Sequence, residues 1–307
     1  MVSPAAAQDA YPIKIVRLVI PFGAGGITDV VGRLVGQRLA EELKTSVIIE
    51  NKPGAGGSIA AQSVAQAAPD GGTMLLGTVG TQVVNRMIYP KLQYDPEALT
   101  PVSLVSNSPY VLAIKGVPDV RDLKGLADYA RSNPDELNFG SAGHGSSPHL
   151  GVELFKLITK TKIVHVPFKS GAEAVNAALA GQVQIVFDAI PVVMPQVTGG
   201  HLVALALADG SRSRGAPDLS TSAEQGMADF RMGSWNCLMV PAGTPKDRID
   251  ALAAAVTRVL ARQDVVDRLA SLGIQPMPTG VAAYEAHVKS ETAKWSSVVK
   301  AFNIKIN

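Results

Sequence analysis

The segment that most restricts the fold is Ile13–Leu43, IKIVRLVIPFGAGGITDVVGRLVGQRLAEEL. Ile13 to Ile20 is β-branched and apolar, the pattern of a buried strand, and Pro21 ends it. Gly23, Gly25 and Gly26 make a loop almost without side chains. Thr28 and Asp29 stand where a helix begins, and Val30, Val31, Leu34, Val35 and Leu39 recur at helical spacing. This order points backbone N–H groups, and the positive end of a helix dipole, at one spot suited to an anion. A plain tight turn between strand and helix would use the same glycines. The loop is not a dinucleotide fingerprint, because Asp29 replaces the third glycine of GxGxxG. Nor is it a P-loop, because no Lys-Ser/Thr pair follows.

The unit recurs. Ser46–Glu50 is a strand, Asn51–Gly57 (NKPGAGG) a second glycine loop, and Ser58–Ala68 a helix. Thr73–Gly77 is a third strand with the small, polar exit Thr78-Val79-Gly80-Thr81. Such spacing predicts a mostly parallel sheet covered by helices, with ligands beyond the carboxyl ends of its strands. Pro90–Pro101 is expected to be irregular, and Tyr110–Lys115 to be a strand. Asp122 caps a helix to Ser132. Leu137–Gly140 is a strand entering the glycine-serine loop Gly140–Ser147, where Ser147 and Pro148 open a helix. Lys162–Phe168 is a strand, Ser170 and Glu173 form a capping box, and Val183–Phe187 is a strand ending at Asp188. Leu202–Leu207 is another strand, and Asp209–Ser222 a loop. Met239–Pro245 leads into a helix to Arg262, followed by helices Asp264–Leu272 and Gly280–Phe302. Two small-residue loops at helix starts, Gly23–Asp29 and Gly140–Ser147, would grip one ligand from both sides.

Composition excludes several classes. A chain of 307 residues predicts two domains, and 47% hydrophobic against 18% charged residues predicts ample core. A net charge of +2 gives no reason to expect nucleic acid. No apolar run reaches the ~18 residues of a spanning helix. The single cysteine, Cys237, cannot form an internal disulfide or a cysteine metal cluster, and its apolar neighbours predict a buried thiol. His144, His149, His165, His201 and His287 show neither HxH nor HxxxH, so no metal site is expected, and His165 within its strand is expected to be a satisfied core histidine. No cofactor is implied. Ala5-x-Ala7 resembles the end of a secretory signal, which predicts that the natural protein is exported and its signal removed. A serine hydrolase would use Ser146 or Ser147 with His144 or His149. However, GxSxG is absent and no pair has nucleophile–base spacing, so no catalytic residue is expected.

Six segments in order, PFGAGGITDVVGR, ENKPGAGGSIAA, APDGGTMLLG, GSAGHGSSPHLGVELFK, HVPFKSGAEAVNAALAGQV and VPAGTP, resemble the periplasmic solute receptors of tripartite tricarboxylate transporters, the Bug or TctC family. The resemblance runs from about Tyr11 to the C-terminus. It implies a two-lobed α/β binding protein of type II, a Venus flytrap in which each lobe is a mostly parallel sheet flanked by helices. Residues 1–106 and 230–307 would form the first lobe and 107–229 the second, whereas the residues alone suggest a cut near Pro118 or Pro134. It further implies a dicarboxylate, tricarboxylate, amino acid or aromatic acid in the cleft, and delivery to membrane permease subunits by a periplasmic, monomeric, non-enzymatic receptor. A sensor feeding a signalling partner would use the same cleft. Carried over by motif, the first-lobe grip falls on Phe22, Gly23, Ala24, Gly26, Thr28, Asp29 and Thr78. The second-lobe grip falls on Ser141, Gly143, Gly145, Ser146, His149, Phe168 and Asp188. The chain departs from the family's VPYKG at Phe168 and at Ser170, which separates Lys169 from Gly171.

Overall fold

The computed structural model describes residues 14–277 and 280–302. Ile13 and the Ala5-x-Ala7 pattern lie outside them. Three repeats of strand, loop and helix start the chain: β1 (Ile15–Ile20), α1 (Ile27–Leu43), β2 (Ser46–Asn51), α2 (Ser58–Ala65) and β3 (Thr73–Thr78). β1 lies between β2 and β3, parallel to both. Val31, Val35 and Leu39 bury the inner face of α1 completely. Gly32 and Gly36 on that helix let it press on the sheet: a Cβ on Gly36 would lie 2.8 Å from Ile49 Cδ1. After β3 the chain makes a wide turn, Gly80–Val84, and the short helix α3 (Asn85–Ile88).

β4 (Leu99–Ile114) is the strand that unites the molecule. The second part of the chain hangs from it: α4 (Leu123–Ser132), β5 (Asn138–Ser141), α5 (Ser147–Thr159), β6 (Val164–Pro167), α6 (Gly171–Leu179), β7 (Ile185–Ala189), α7 (Ile190–Thr198) and β8 (Val203–Leu207). The chain returns through β9 (Gly233–Pro241), α8 (Lys246–Ala261), α9 (Gln263–Ser271), β10 (Gln275–Pro276) and α10 (Val281–Phe302). Leu99–Pro109 of β4 pairs with β9, which also pairs with β3, giving a first sheet in the order β2-β1-β3-β9-β4. Tyr110–Ile114 of the same strand pairs with β7 and β8, and β7-β5-β6 completes a second sheet. Only β9 runs against its neighbours in the first of these runs, and β5, β6 and β7 are parallel in the second. The expected two-lobed α/β architecture is therefore the one adopted, with mixed sheets: β4 runs antiparallel to β7, β8, β9 and β10, and β9 to β3.

Two expectations need correction. Leu99 to Pro101 is strand, not irregular: the register slips between Pro101 and Ser103 and between Leu104 and Ser106, and these bulges accommodate a proline-bearing, serine-rich sequence. The cap of α5 is Ser146, not Ser147, and its hydroxyl donates to Gly143 O at 2.6 Å rather than capping the helix. Asp122 and Ser170 cap as expected, accepting from Gly125 N (2.6 Å) and Glu173 N (3.2 Å). The capping box is incomplete, because Glu173 accepts from Lys169 N instead of the cap's own N–H. Cys237 is fully buried, and burial pushes its thiol far above the usual range, so it is inert at neutral pH. α10 is anchored by Glu291, whose Oε2 accepts from Trp235 Nε1 (3.0 Å) and Trp295 Nε1 (2.9 Å). Among the described residues, no helix is long and apolar enough to cross a membrane.

Candidate functional site

The first glycine loop is held from behind. The Asp29 carboxylate accepts from Gly25 N (3.0 Å), Arg33 Nε (2.9 Å) and Asn51 Nδ2 (3.0 Å), and Asn51 Nδ2 also donates to Phe22 O (2.9 Å). Burial pushes this carboxyl up, but the bonds from Arg33, Gly25 and Asn51 together outweigh it and hold it below its ordinary value. Asp29 thus shapes the loop. Asp29→Asn is expected to cost about 1–3 kcal/mol in urea unfolding at pH 7, since it weakens a charge-assisted cluster. Because the folded-state value is depressed, that difference is present above the unfolded value and should vanish as pH falls through the folded one.

In front of the loop the two lobes meet. Gly23 N donates to Lys169 O at 2.9 Å. A Cβ on Gly25 would touch Ala172 Cβ at 3.2 Å, and one on Gly26 would lie 3.6 Å from Gly171 N. The glycines therefore let α6 approach, and with Gly23 N and Gly25 N engaged, the donors left facing the cleft are Gly26 N and the N–H groups of the first turn of α1. Further along the cleft, a Cβ on Gly80 would lie 2.9 Å from Gly145 O, and one on Gly145 would lie 2.9 Å from Asn85 Oδ1 and Ile88 Cδ1. Gly56 faces His144 O in the same way at 2.5 Å.

Between these contacts is an inner cavity of about 20 Å3, room for roughly one water. Three helix starts line it: Phe22, Gly26, Ile27 and Thr28 at α1; Ala142, Ser146, Ser147 and Pro148 at α5; Gly171 at α6. Tyr110 and Ser234, where β4 and β9 lie side by side, and Asp188 at the end of β7 close it. Thr28, Ser146, Ser147, Asp188 and Ser234 are buried polar residues, and among the described residues no Lys or Arg lines the cavity. The first-turn N–H groups of each helix lack partners within the helix, so the cavity offers neutral donors and dipole ends. Asp188 is the exception. Burial raises its carboxyl from 3.8 to about 7, against a hydrogen bond from Ala189 N (2.7 Å). A Cβ on Gly171 would overlap Asp188 Oδ2, so any side chain there would force the Asp188 carboxyl to move. Burial also pushes the Tyr110 hydroxyl well up, the Asp188 charge adds to this, and the Ser234 and Ser147 hydroxyls work against it.

Of the fourteen residues carried over by motif, Phe22, Gly26, Thr28, Ser146 and Asp188 line this cavity. Gly143 and Phe168 line an outer pocket of about 290 Å3 at the mouth of the cleft, with Tyr89, Gly56, His144 and Lys169. Gly23, Asp29 and Gly145 make the loop and lobe contacts above. Ala24 lines neither pocket. The Thr78 hydroxyl is buried without a hydrogen-bond partner, beside Gly80. Tyr110 and Ser234 were not singled out by the sequence, and Ser147 was read there only as a helix start and a candidate nucleophile, not as a ligand contact. The proline after Ser147 is its only local signal, and nothing local marks the strand residues.

Ser141 and His149 face the interior of the second lobe. There the fold gathers three histidines that sequence spacing kept apart. His149 and His165 stack with ring centres 4.2 Å apart, and His144 meets His165 edge-on at 4.8 Å. Burial first, and neighbouring rings second, lower His149 to about 3 and His165 to about 2, so both are neutral. His165 Nε2 contacts Ser141 Oγ at 2.5 Å, a serine–histidine pair that the sequence reading did not expect. Ser141 is fully buried, and His165 Nδ1 has no partner to orient it, so the pair lacks the accessible nucleophile and the third member of a triad. His165 is thus not the satisfied core histidine expected.

The family model described as the tripartite tricarboxylate transporter family receptor matches residues 31–304. The chain is similar to Rpa4515 of R. palustris, solved with adipate: 34% identity, TM-score 0.90, covering 95% of this chain and 98% of that one. It is similar to MatC of Rhodopseudomonas palustris, solved with bound malate: 35% identity, TM-score 0.89, covering 94% and 100%. It is also similar to the periplasmic binding protein BugD: 31% identity, TM-score 0.89, covering 96% and 99%.

Proposed function

The chain belongs to the tripartite tricarboxylate transporter receptor family, and on that premise we propose that it captures a small carboxylate between its lobes and delivers it to the membrane permease subunits of such a transporter. The observation that carries this reading is the convergence of the α1, α5 and α6 starts on one cavity without a Lys or Arg in its lining. Backbone donors and helix dipoles hold a carboxylate there at short range. Phe22, Gly26, Thr28, Ser146 and Asp188 contact the solute, joined by Tyr110, Ser147 and Ser234. Gly23, Ala24, Asp29, Thr78, Gly143, Gly145 and Phe168 shape the loops and the mouth, and Ser141 and His149 support them from inside the second lobe. Residues 1–106 and 230–307 move as one lobe against 107–229, hinged where β4 passes between sheets. The protein works in the periplasm, as a monomer.

The family is a class of solute receptors, not of enzymes. Two similar proteins were solved with the dicarboxylates malate and adipate, and a solute with a carboxylate at each end would bridge both glycine loops. A thermal-shift screen over mono-, di- and tricarboxylates and aromatic acids tests this. At one fixed concentration, dicarboxylates in the malate-to-adipate range are expected to stabilise most, and a solute at a hundred times its dissociation constant stabilises by about 2.7 kcal/mol. A screen in which no carboxylate raises the melting temperature overturns the reading, and so does steady turnover of any of these acids or their esters.

A further inference from the structure

We propose that His144, His149 and His165 form a three-nitrogen binding site for a transition-metal dication of the Zn2+ class at the mouth of the cleft. One ring nitrogen of each lies within 4.8 Å of those of the other two. Nitrogens around a tetrahedral zinc at about 2.0–2.1 Å stand roughly 3.3 Å apart, so the nitrogens need to close by up to about 1.5 Å, and because His149 and His165 are stacked, one of those two rings must also turn for both in-plane lone pairs to reach one ion. His144, exposed on its loop, moves most readily.

One arrangement of the hydrogen bonds gives the tautomers that coordination requires. Ser141 Oγ lies 3.2 Å from Gly143 O and accepts from Gly143 N at 3.0 Å. With the hydroxyl proton given to Gly143 O, the short contact to His165 takes its proton from Nε2. His165 Nδ1 is left as a bare lone pair, buried and without a partner, which a bound cation would satisfy. His149 Nδ1 accepts from Gly145 N at 3.1 Å, so its proton sits on Nε2, facing Glu153 Oε1 at 4.0 Å. An ion taken at Nδ1 would replace the Gly145 N–H and leave Nε2 directed at a carboxylate, the outer-shell arrangement usual for metal-bound histidine. Glu153 is itself paired with Lys156 at 2.7 Å. The outer pocket beside His144 supplies the access path. Three imidazoles suit zinc, copper and nickel rather than magnesium or calcium.

The test is calorimetric titration of Zn2+ into the full chain, as wild type, His144→Ala and His201→Ala. His201 is an exposed histidine outside the cluster. Wild type and His201→Ala are expected to bind one ion per chain with equal affinity. His144→Ala should bind at least about 10–100-fold more weakly, the loss that removing even an outer-shell partner causes. The variant removes only an exposed side chain, and an unchanged melting temperature without metal verifies its fold. No stoichiometric binding by wild type, equal binding by His144→Ala, or loss of binding in His201→Ala overturns the proposal.

Discussion

Gly145→Val is expected to abolish carboxylate-induced stabilisation while the chain still folds. Gly145 has φ +76°, a region that costs a residue with a side chain roughly 1–2 kcal/mol. That cost falls on open and closed forms alike, so it lowers stability without touching the balance between them. The second penalty falls on the closed form. The new Cβ would press on Asn85 Oδ1 and Ile88 Cδ1, each 2.9 Å away across the cleft. Asn85 cannot yield easily: it is fully buried, and its Nδ2 donates to Gly56 O (3.0 Å) and Ser58 Oγ (3.2 Å). A ligand that binds the closed form loses affinity by the fraction of molecules that can still close, and a loss of about 100-fold or more is expected by calorimetry. Gly80→Ala separates the two penalties. Its φ is ordinary, yet its Cβ would lie 2.9 Å from Gly145 O. It should therefore weaken binding without lowering stability. Binding by Gly145→Val within threefold of wild type would show that the lobes need not meet at this contact.

The first lobe was legible because its information is local. Ile15–Ile20, Gly23–Gly26 and the stripe along α1 lie within one stretch, and period and turn chemistry identify them. β4 was half legible for a physical reason. Tyr110–Ile114 is continuously apolar, but Leu99–Pro109 includes Pro101, Ser103, Ser106, Ser108 and Pro109, and its strand character comes from pairing with β9, more than a hundred residues away. α7 went unrecognised because Pro191 and Pro195 interrupt IPVVMPQVT, although proline is tolerated in a helix's first turn. The site divides the same way. Gly26, Thr28 and Ser146 announce themselves at helix starts, whereas Tyr110 and Ser234 reach the cavity only through the pairing of β4 with β9. The histidine cluster joins a loop, a helix and the next strand, and no spacing rule spans that path.

Asp188→Asn is expected to remove a pH dependence that wild type carries in both stability and binding. The carboxyl titrates near 7 in the folded chain and near 3.8 unfolded. Between those values the native state holds a proton that the unfolded state has released, so stability is greatest at low pH and falls as pH rises towards 7. The full span of about three pH units corresponds to a loss on the order of 4 kcal/mol. Asparagine is neutral and nearly the same shape, so wild type and variant should converge near pH 4, with the variant the more stable at pH 8 in urea unfolding. Binding resolves the chemistry further. A protonated Asp188 donates to a solute carboxylate, while an ionised one repels it in a cavity with no cation in its lining. The affinity of wild type for a dicarboxylate should therefore weaken about tenfold per pH unit above 7, and that of the variant should stay flat. A solute bearing an ammonium group reverses the sign, because the ionised form would then attract it. Calorimetry between pH 6 and 9 on both proteins separates these cases. A wild-type affinity for dicarboxylates that is flat across that range would place the solute away from Asp188 and remove this residue from the binding surface.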